Sequence, residues 1–306
     1  MIAIVCPGQG SQTPGFLNAW LELPAFKNSI ELMQEASGVE LIQHGTISDA
    51  DTIRDTAVAQ PLIVAAGVAT MSALTAAGAE LSQNVGFAGH SVGEVTAAIA
   101  AGIFTPEAGI QFVQKRGTEM ARAAALETTS MAAVLGGDEA VVLARLEELE
   151  LQPANFNGGG QIVAAGAAEA IAMLQAEGPT GSRVIPLQVA GAFHTRFMQP
   201  AVAALADYAK TVEVSDPEFS IWTNSDGSKI SSGSEYLSLL VKQVSNPVRW
   251  DLCMKAMVDA GVTAIIEVAP AGTLSGLAKR SMPGVEIVAV KTPENIDAAL
   301  SLINNA

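Results

Sequence analysis

Strand-like and helix-like segments alternate along almost the whole 306-residue chain, and this order predicts an α/β protein with a mainly parallel sheet covered by helices on both faces. Two observations refine the prediction. Runs such as Ile2-Ala3-Ile4-Val5 and Val85-Gly86-Phe87-Ala88 are continuous and apolar, which suits buried strands. From Ser130 the texture changes to a strand-helix-strand-strand-helix-strand order, the pattern of a small ferredoxin-like α+β module. We therefore expect a large unit, discontinuous over 1–127 and 193–306, and a small inserted one over 128–192.

In chain order, Ile2 to Cys6 reads as the first strand, running into Pro7-Gly8-Gln9-Gly10-Ser11-Gln12. That loop has neither a Gly-Lys-Ser/Thr ending nor Gly-x-Gly-x-x-Gly spacing, so it is a strand-end loop that can offer backbone N–H groups rather than a phosphate cradle. Helices are expected at Phe16 to Glu22, Phe26 to Ala36, Asp49 to Thr56 and Ala57 to Ala77, the last stopped by Gly78. A strand follows at Val85 to Ala88 and a helix at Val92 to Ala101; Thr105-Pro106-Glu107 then caps a helix reaching Leu126. In the inserted module we expect strands at Met131 to Leu135 and Arg183 to Val189, an extended pair within Asn155 to Ala165, and helices at Asp138 to Leu149 and Ala168 to Glu177. The remainder reads as helices at Met198 to Val212, Glu235 to Val244, Arg249 to Ala260, Thr273 to Ser281 and from Asn295. Strands alternate with them at Phe219 to Asn224, Ala264 to Val268 and Glu286 to Val290.

Composition narrows the function classes. Hydrophobic residues make up 49% and charged residues 15%, but apolar stretches such as Pro61 to Ala69 are interrupted before a membrane span of about 18 residues. The N-terminus lacks the basic flank and cleavage site of a signal peptide, and the sparse, distant Cys6 and Cys253 fit a reducing cytoplasm. Two Cys and three His in no ligand-like spacing argue against a metal site. A net charge of −15 argues against nucleic acid.

The chemistry centres on Gly89-His90-Ser91-Val92-Gly93. Ser91 falls on the sharp turn between a strand and a helix, where flanking glycines leave room for the backbone and the helix start offers free N–H groups. A chain rich in Gly and Ser can produce this motif by chance, so a base must accompany it. Of the three histidines, His90 adjoins Ser91 across a tight turn, where side chains diverge, and His44 ends a polar helical stretch. His194 remains, in a small-residue turn where the inserted module rejoins the main unit; it is either the base in a cleft or a core histidine. More than a hundred residues follow it, which disfavours an ordinary hydrolase order of serine, acid and late histidine. Arg116 shares a helix face with Phe112, Val113 and Met120. It is either a structural ion pair or a clamp for a substrate carboxylate.

These segments, with Ala59-Gln60-Pro61, Asn155-Phe156-Asn157, Asn246-Pro247-Val248-Arg249-Trp250 and Glu267-Val268-Ala269-Pro270, make the chain resemble the malonyl-CoA:acyl carrier protein transacylases over essentially its full length. The resemblance implies an α/β-hydrolase-like core with the ferredoxin-like insertion. It implies Ser91 as nucleophile, His194 as base and then acid, and a backbone carbonyl at Asn246 orienting the histidine. It implies an oxyanion hole from the N–H groups of Gln9 and Val92. Arg116 would hold the malonyl carboxylate, with Gln60, Met120 and Phe193 beside the substrate; Phe193 and Val92 are similar to malonyl-selecting forms. The implied substrates are malonyl-CoA and holo acyl carrier protein, with no cofactor, acting as a monomer in the cytoplasm for fatty acid synthesis. A polyketide-synthase or malonate-decarboxylase-type malonyltransferase, or a serine thioesterase, remain as alternatives. Docking an acidic carrier would use basic residues among Lys279, Arg280, Lys242, Arg249 and Arg196. Arg249, Ala269, Ala271 and Gly158-Gly159 depart from the family's usual residues, none of them at Ser91, His194 or Arg116.

Overall fold

The computed structural model describes residues 1–189 and 191–306; Ala190, in the turn before His194, lies outside the described residues. In chain order the elements are β1 (Ile2–Cys6), α1 (Pro24–Ser37), α2 (Leu41–Thr46), α3 (Thr56–Ala76), β2 (Val85–Gly89), α4 (Gly93–Ala100) and α5 (Pro106–Ala124). Next come β3 (Thr129–Gly136), α6 (Glu139–Glu148), β4 (Gln152–Gly158), β5 (Gln161–Ala167), α7 (Ala168–Ala176), β6 (Ser182–Pro186) and α8 (Gln199–Ala209). The chain ends with β7 (Ser220–Ile221), α9 (Gly233–Gln243), β8 (Val248–Arg249), α10 (Trp250–Asp259), β9 (Ala264–Glu267), α11 (Thr273–Ser281), β10 (Glu286–Ala289) and α12 (Ile296–Ile303).

The first sheet is parallel throughout, in the order β10-β9-β1-β2-β7. Its central strands are apolar because both faces are covered: Ile2, Ile4 and Cys6 of β1 enter one core and Ala3 and Val5 the other, the two-residue alternation of a strand. The fold is thus α/β, as the alternation of segments predicts. Parallel strands leave their carboxyl ends on one side, and the loops after β1, β2 and β7 gather there, the usual place for a site in an open α/β sheet.

The second sheet runs β6-β3-β5-β4-β8. Its first four strands are antiparallel, and α6 and α7 cover a small core that includes Val134, Leu146, Ala164 and Leu174. The fifth strand is different. β8 belongs to a later part of the chain and pairs parallel with β4, Asn155 opposite Val248, so the two sheets are stitched together beside the site.

Several boundaries differ from the sequence expectation. Phe16 to Glu22 and Asp49 to Thr56 contain only single 3-10 turns at Trp20–Glu22 and Thr52–Arg54, since runs this short cannot repay helix nucleation. The strand expected at Phe219 to Asn224 is a two-residue edge, and the one expected to reach Val189 ends at Pro186. α3 is apolar enough to span a membrane by length and composition, with mean hydropathy 1.7 over its best window, but 83% of that window is buried inside the protein.

Packing of α3 on α5 sets up the site. A Cβ at Gly117 would stand 2.8 Å from the Thr56 carbonyl, so only glycine allows the two helices this close. That approach brings Gln60 of α3 to Arg116 of α5.

Candidate active site

Ser91 stands between β2 and α4 with φ 53°, a left-handed conformation that costs a non-glycine residue about 1–3 kcal/mol. Its surroundings impose it. A Cβ at Gly89 would lie 2.0 Å from the Gly93 carbonyl carbon, and one at Gly93 would lie 2.1 Å from the Cys6 carbonyl oxygen; both glycines are needed for α4 to sit against β1 and β2. Asn224, beyond β7, clamps the turn: its Oδ1 accepts the Ser91 N–H at 2.7 Å and its Nδ2 donates to the Gly89 carbonyl at 2.7 Å.

His194 also has positive φ, 62°. Its Nε2 lies 2.7 Å from Ser91 Oγ and its Nδ1 lies 2.8 Å from the Gln243 carbonyl oxygen. A carbonyl can only accept, so Nδ1 carries the proton and Nε2 presents its lone pair to the serine hydroxyl. Burial, and then the charge of Arg116, pull the imidazole down to about 3, so it is neutral near pH 7. The orienting carbonyl expected at Asn246 is supplied by Gln243, three residues earlier, where α9 ends; the Asn246 carbonyl contributes less to holding the ring's proton. Asn246 itself is exposed, and its amide donates to the Lys242 carbonyl.

The other histidines are engaged elsewhere. His90 Nε2 meets Asn157 Oδ1 of β4 at 2.9 Å, and its ring packs edge-on against Trp250. His44 meets Ser48.

Arg116 is fully buried and makes no ion pair at hydrogen-bond distance among the described residues. Instead, Nη1 donates to Gln60 Oε1 at 2.6 Å and Nη2 to Gln243 Oε1 at 2.7 Å, while its buried Nε has no partner among the described residues. Two neutral amide oxygens orient the guanidinium without neutralising it. Burial lowers it to about 10, against the opposing pull of Glu94, and it stays cationic at pH 7.

Ser91 and His194 line a cavity of about 90 Å³ together with Gln9, Gln60, Val92, Met120 and Phe193, roughly three water molecules' worth of space. The structure thus gathers every expected site residue except Asn246 at or directly behind one small chamber. The N–H groups of Gln9 and Val92 have no acceptor among the described residues. The Gln9 side chain ties its loop to the start of α3 through the Arg54 carbonyl and Thr56 Oγ1. A neighbouring cavity of about 330 Å³ shares Gln9, Leu187 and Val189 and leads outward.

Sequence reasoning missed Glu94, Asn157, Asn224 and Gln243. Glu94 lies inside the serine motif, but neither its burial nor its partners could be read from its type. Among the basic residues considered for docking, Lys279, Arg280, Lys242 and Arg196 are exposed. Arg249 is engaged, with a two-pronged pair to Asp251 and its guanidinium over Phe156.

Known proteins resemble this chain over nearly its full length. Residues 3–292 match the model of the acyl transferase domain. The chain is 46% identical over 302 residues to a malonyl CoA-acyl carrier protein transacylase of Mycobacterium tuberculosis, covering 99% of this chain and 100% of the relative. It superposes on the crystal structure of MCAT from Mycobacterium tuberculosis with a TM-score of 0.93 at 46% identity, over 98% of this chain and 99% of that one. A malonyl-transacylase solved in complex with a type II PKS acyl-carrier protein matches with a TM-score of 0.91 at 29% identity, over 98% of this chain and 99% of the other.

Proposed function

From the premise that the chain belongs to the acyl transferase family, among the malonyl CoA-acyl carrier protein transacylases, we propose that Ser91, His194 and Arg116 are its nucleophile, base and carboxylate clamp. The enzyme transfers a malonyl group from malonyl-CoA to acyl carrier protein, supplying fatty acid synthesis. One observation carries the assignment of roles: a serine hydroxyl 2.7 Å from a neutral imidazole, in a small chamber backed by a buried arginine held only by amides.

In the first half-reaction Ser91 Oγ attacks the thioester carbonyl as its proton passes to His194 Nε2. The N–H groups of Gln9 and Val92 receive the oxyanion. The C–S bond then breaks, and the departing thiolate takes the proton from His194. The carrier's phosphopantetheine thiol reverses these steps. A carbonyl in place of a carboxylate behind the histidine stabilises the imidazolium less, and this exchange tolerates that because a thiolate, from a thiol of pKa about 8.5, leaves far more readily than an amine and depends little on protonation. The 330 Å³ trough beside the chamber supports entry of the pantetheine arm from that side. Every group used comes from one chain, so a monomer without a cofactor suffices.

Arg116 donating to the free malonyl carboxylate would contribute about 1.5–3 kcal/mol per charged hydrogen bond. Intact-mass analysis after mixing with malonyl-CoA tests the reading. The protein should gain one malonyl group, borne by Ser91, and lose it on addition of holo acyl carrier protein with no free malonate released. Free malonate as the main product would make the enzyme a thioesterase.

A further inference from the structure

Gln243 performs two tasks at the end of α9. Its main-chain carbonyl receives His194 Nδ1–H at 2.8 Å, and its side-chain Oε1 receives Arg116 Nη2–H at 2.7 Å. The second task depends on which way the amide faces. Its Nε2 donates to Glu94 Oε2, to the Ser91 carbonyl at 3.1 Å and, more loosely, to Asn224 Oδ1 at 3.3 Å. The other carboxylate oxygen, Glu94 Oε1, accepts the Asn224 N–H at 2.6 Å. Glu94 is 1% exposed and does not line the chamber. It touches no reacting atom, yet two of its partners, Gln243 and Asn224, hold the base, the clamp and the nucleophile turn.

Building on the roles proposed above, we infer that Glu94 is a positioning residue whose two accepting oxygens lock the Gln243 amide in the orientation that aims Arg116 at a charged acyl group. The donor count makes the carboxylate necessary. Both Glu94 oxygens accept, one of them from a main-chain N–H that cannot turn. A neutral amide at 94 must therefore present its NH₂ to Gln243, where it meets another NH₂. Gln243 answers that clash by turning its amide over, which places NH₂ against Arg116 Nη2 and Oε1 against the Ser91 carbonyl, or by drawing back, which stretches its contact with Arg116; either way one of the two acceptors orienting the guanidinium is weakened. The carbonyl serving His194 is main-chain and stays in place. Burial raises Glu94 to about 7 against the hydrogen bonds from Asn224, Gln243 and Thr223 and the charge of Arg116. Ionising Glu94 in this site therefore costs free energy that its donors only partly offset.

The consequence is a defect in acyl choice rather than in proton transfer. In Glu94→Gln the half-saturating malonyl-CoA concentration for single-turnover acylation of Ser91, read by intact mass, should rise about tenfold, the loss of one charged hydrogen bond's orientation. The saturating rate and the slow acylation by acetyl-CoA should stay within about threefold, since the base and the oxyanion donors are undisturbed. Combining Glu94→Gln with Arg116→Ala should add nothing further to the malonyl defect, because both act through one guanidinium. A parental malonyl preference in Glu94→Gln, or full additivity with Arg116→Ala, would overturn the inference. If Arg116→Ala alone left the malonyl preference intact, the clamp assignment itself would fall. Should Glu94→Gln not fold, Glu94→Asp serves: its shorter carboxylate cannot reach both partners, so a partial loss of preference supports the inference and an unchanged preference overturns it.

Discussion

The two sheets have five strands each and carry opposite burdens. The parallel sheet is buried on both faces, and the loops at its carboxyl ends deliver Gln9, Ser91 and Asn224. The second sheet buries one small core of its own and gives the site Asn155 and Asn157, side chains that close the chamber and brace His90. A parallel sheet gathers several strand ends at one rim, so residues distant in sequence meet there. An antiparallel sheet sends alternate ends in opposite directions and can offer only a wall.

If that division is right, substitutions on the first unit should cost orders of magnitude and those on the second small factors. The largest effect is expected for Ser91→Ala, which should form no malonyl ester at all; a labelled Ala variant, seen by intact mass, would move the chemistry elsewhere. His194→Ala should slow single-turnover acylation by about 10²–10⁴-fold, the usual worth of a positioned base. For Arg116→Ala we expect about a ten- to hundredfold loss with malonyl-CoA and little with acetyl-CoA; equal losses would make the arginine structural. Asn157→Ala removes the brace on His90 and should cost about 1 kcal/mol of stability and only a few-fold in rate. A loss as large as that of His194→Ala would break the comparison, because the wall would then be part of the machinery.

A separate effect, on stability rather than on rate, is one of pH. Glu94 has a folded pKa near 7, raised from 4.5, so between these values the folded state holds more protons than the unfolded state and this residue's contribution to stability falls as pH rises. Glu94→Gln removes that slope. Whatever its offset, the Tm difference between the variant and its parent should shift in the variant's favour from pH 4.5 to 7, as differential scanning calorimetry would read; a flat difference would mean that Glu94 does not titrate in that window.

Much of this was legible from residue type and order. Ser91 sits in a strand-turn-helix motif, His194 is the one histidine at a chain re-entry, and Arg116 breaks an apolar helix stripe. What escaped were contacts made by groups without a type signal. The acceptor for His194 is a main-chain carbonyl, which any residue has, so its placement at Asn246 missed by three positions and Gln243 looked like the ordinary end of an amphipathic helix. Asn224 fell within an expected strand that stops at Ile221, because the chain leaves the sheet edge there to reach Glu94 and the serine turn. The fold class was readable for the opposite reason: buried parallel strands are written in continuous apolar runs.

Gln243 has a consequence for the timing of the protein's own synthesis. Its amide meets the Ser91 carbonyl across 152 residues, and until it docks, His194 lacks the carbonyl that sets its tautomer and Arg116 lacks one of its two supports. At roughly 5–20 residues per second a ribosome needs about 8–30 s to cover that interval. On the roles proposed above, the serine of a nascent chain is an ordinary alcohol until α9 docks, and a prematurely terminated product that ends before α9 should be inert toward thioesters.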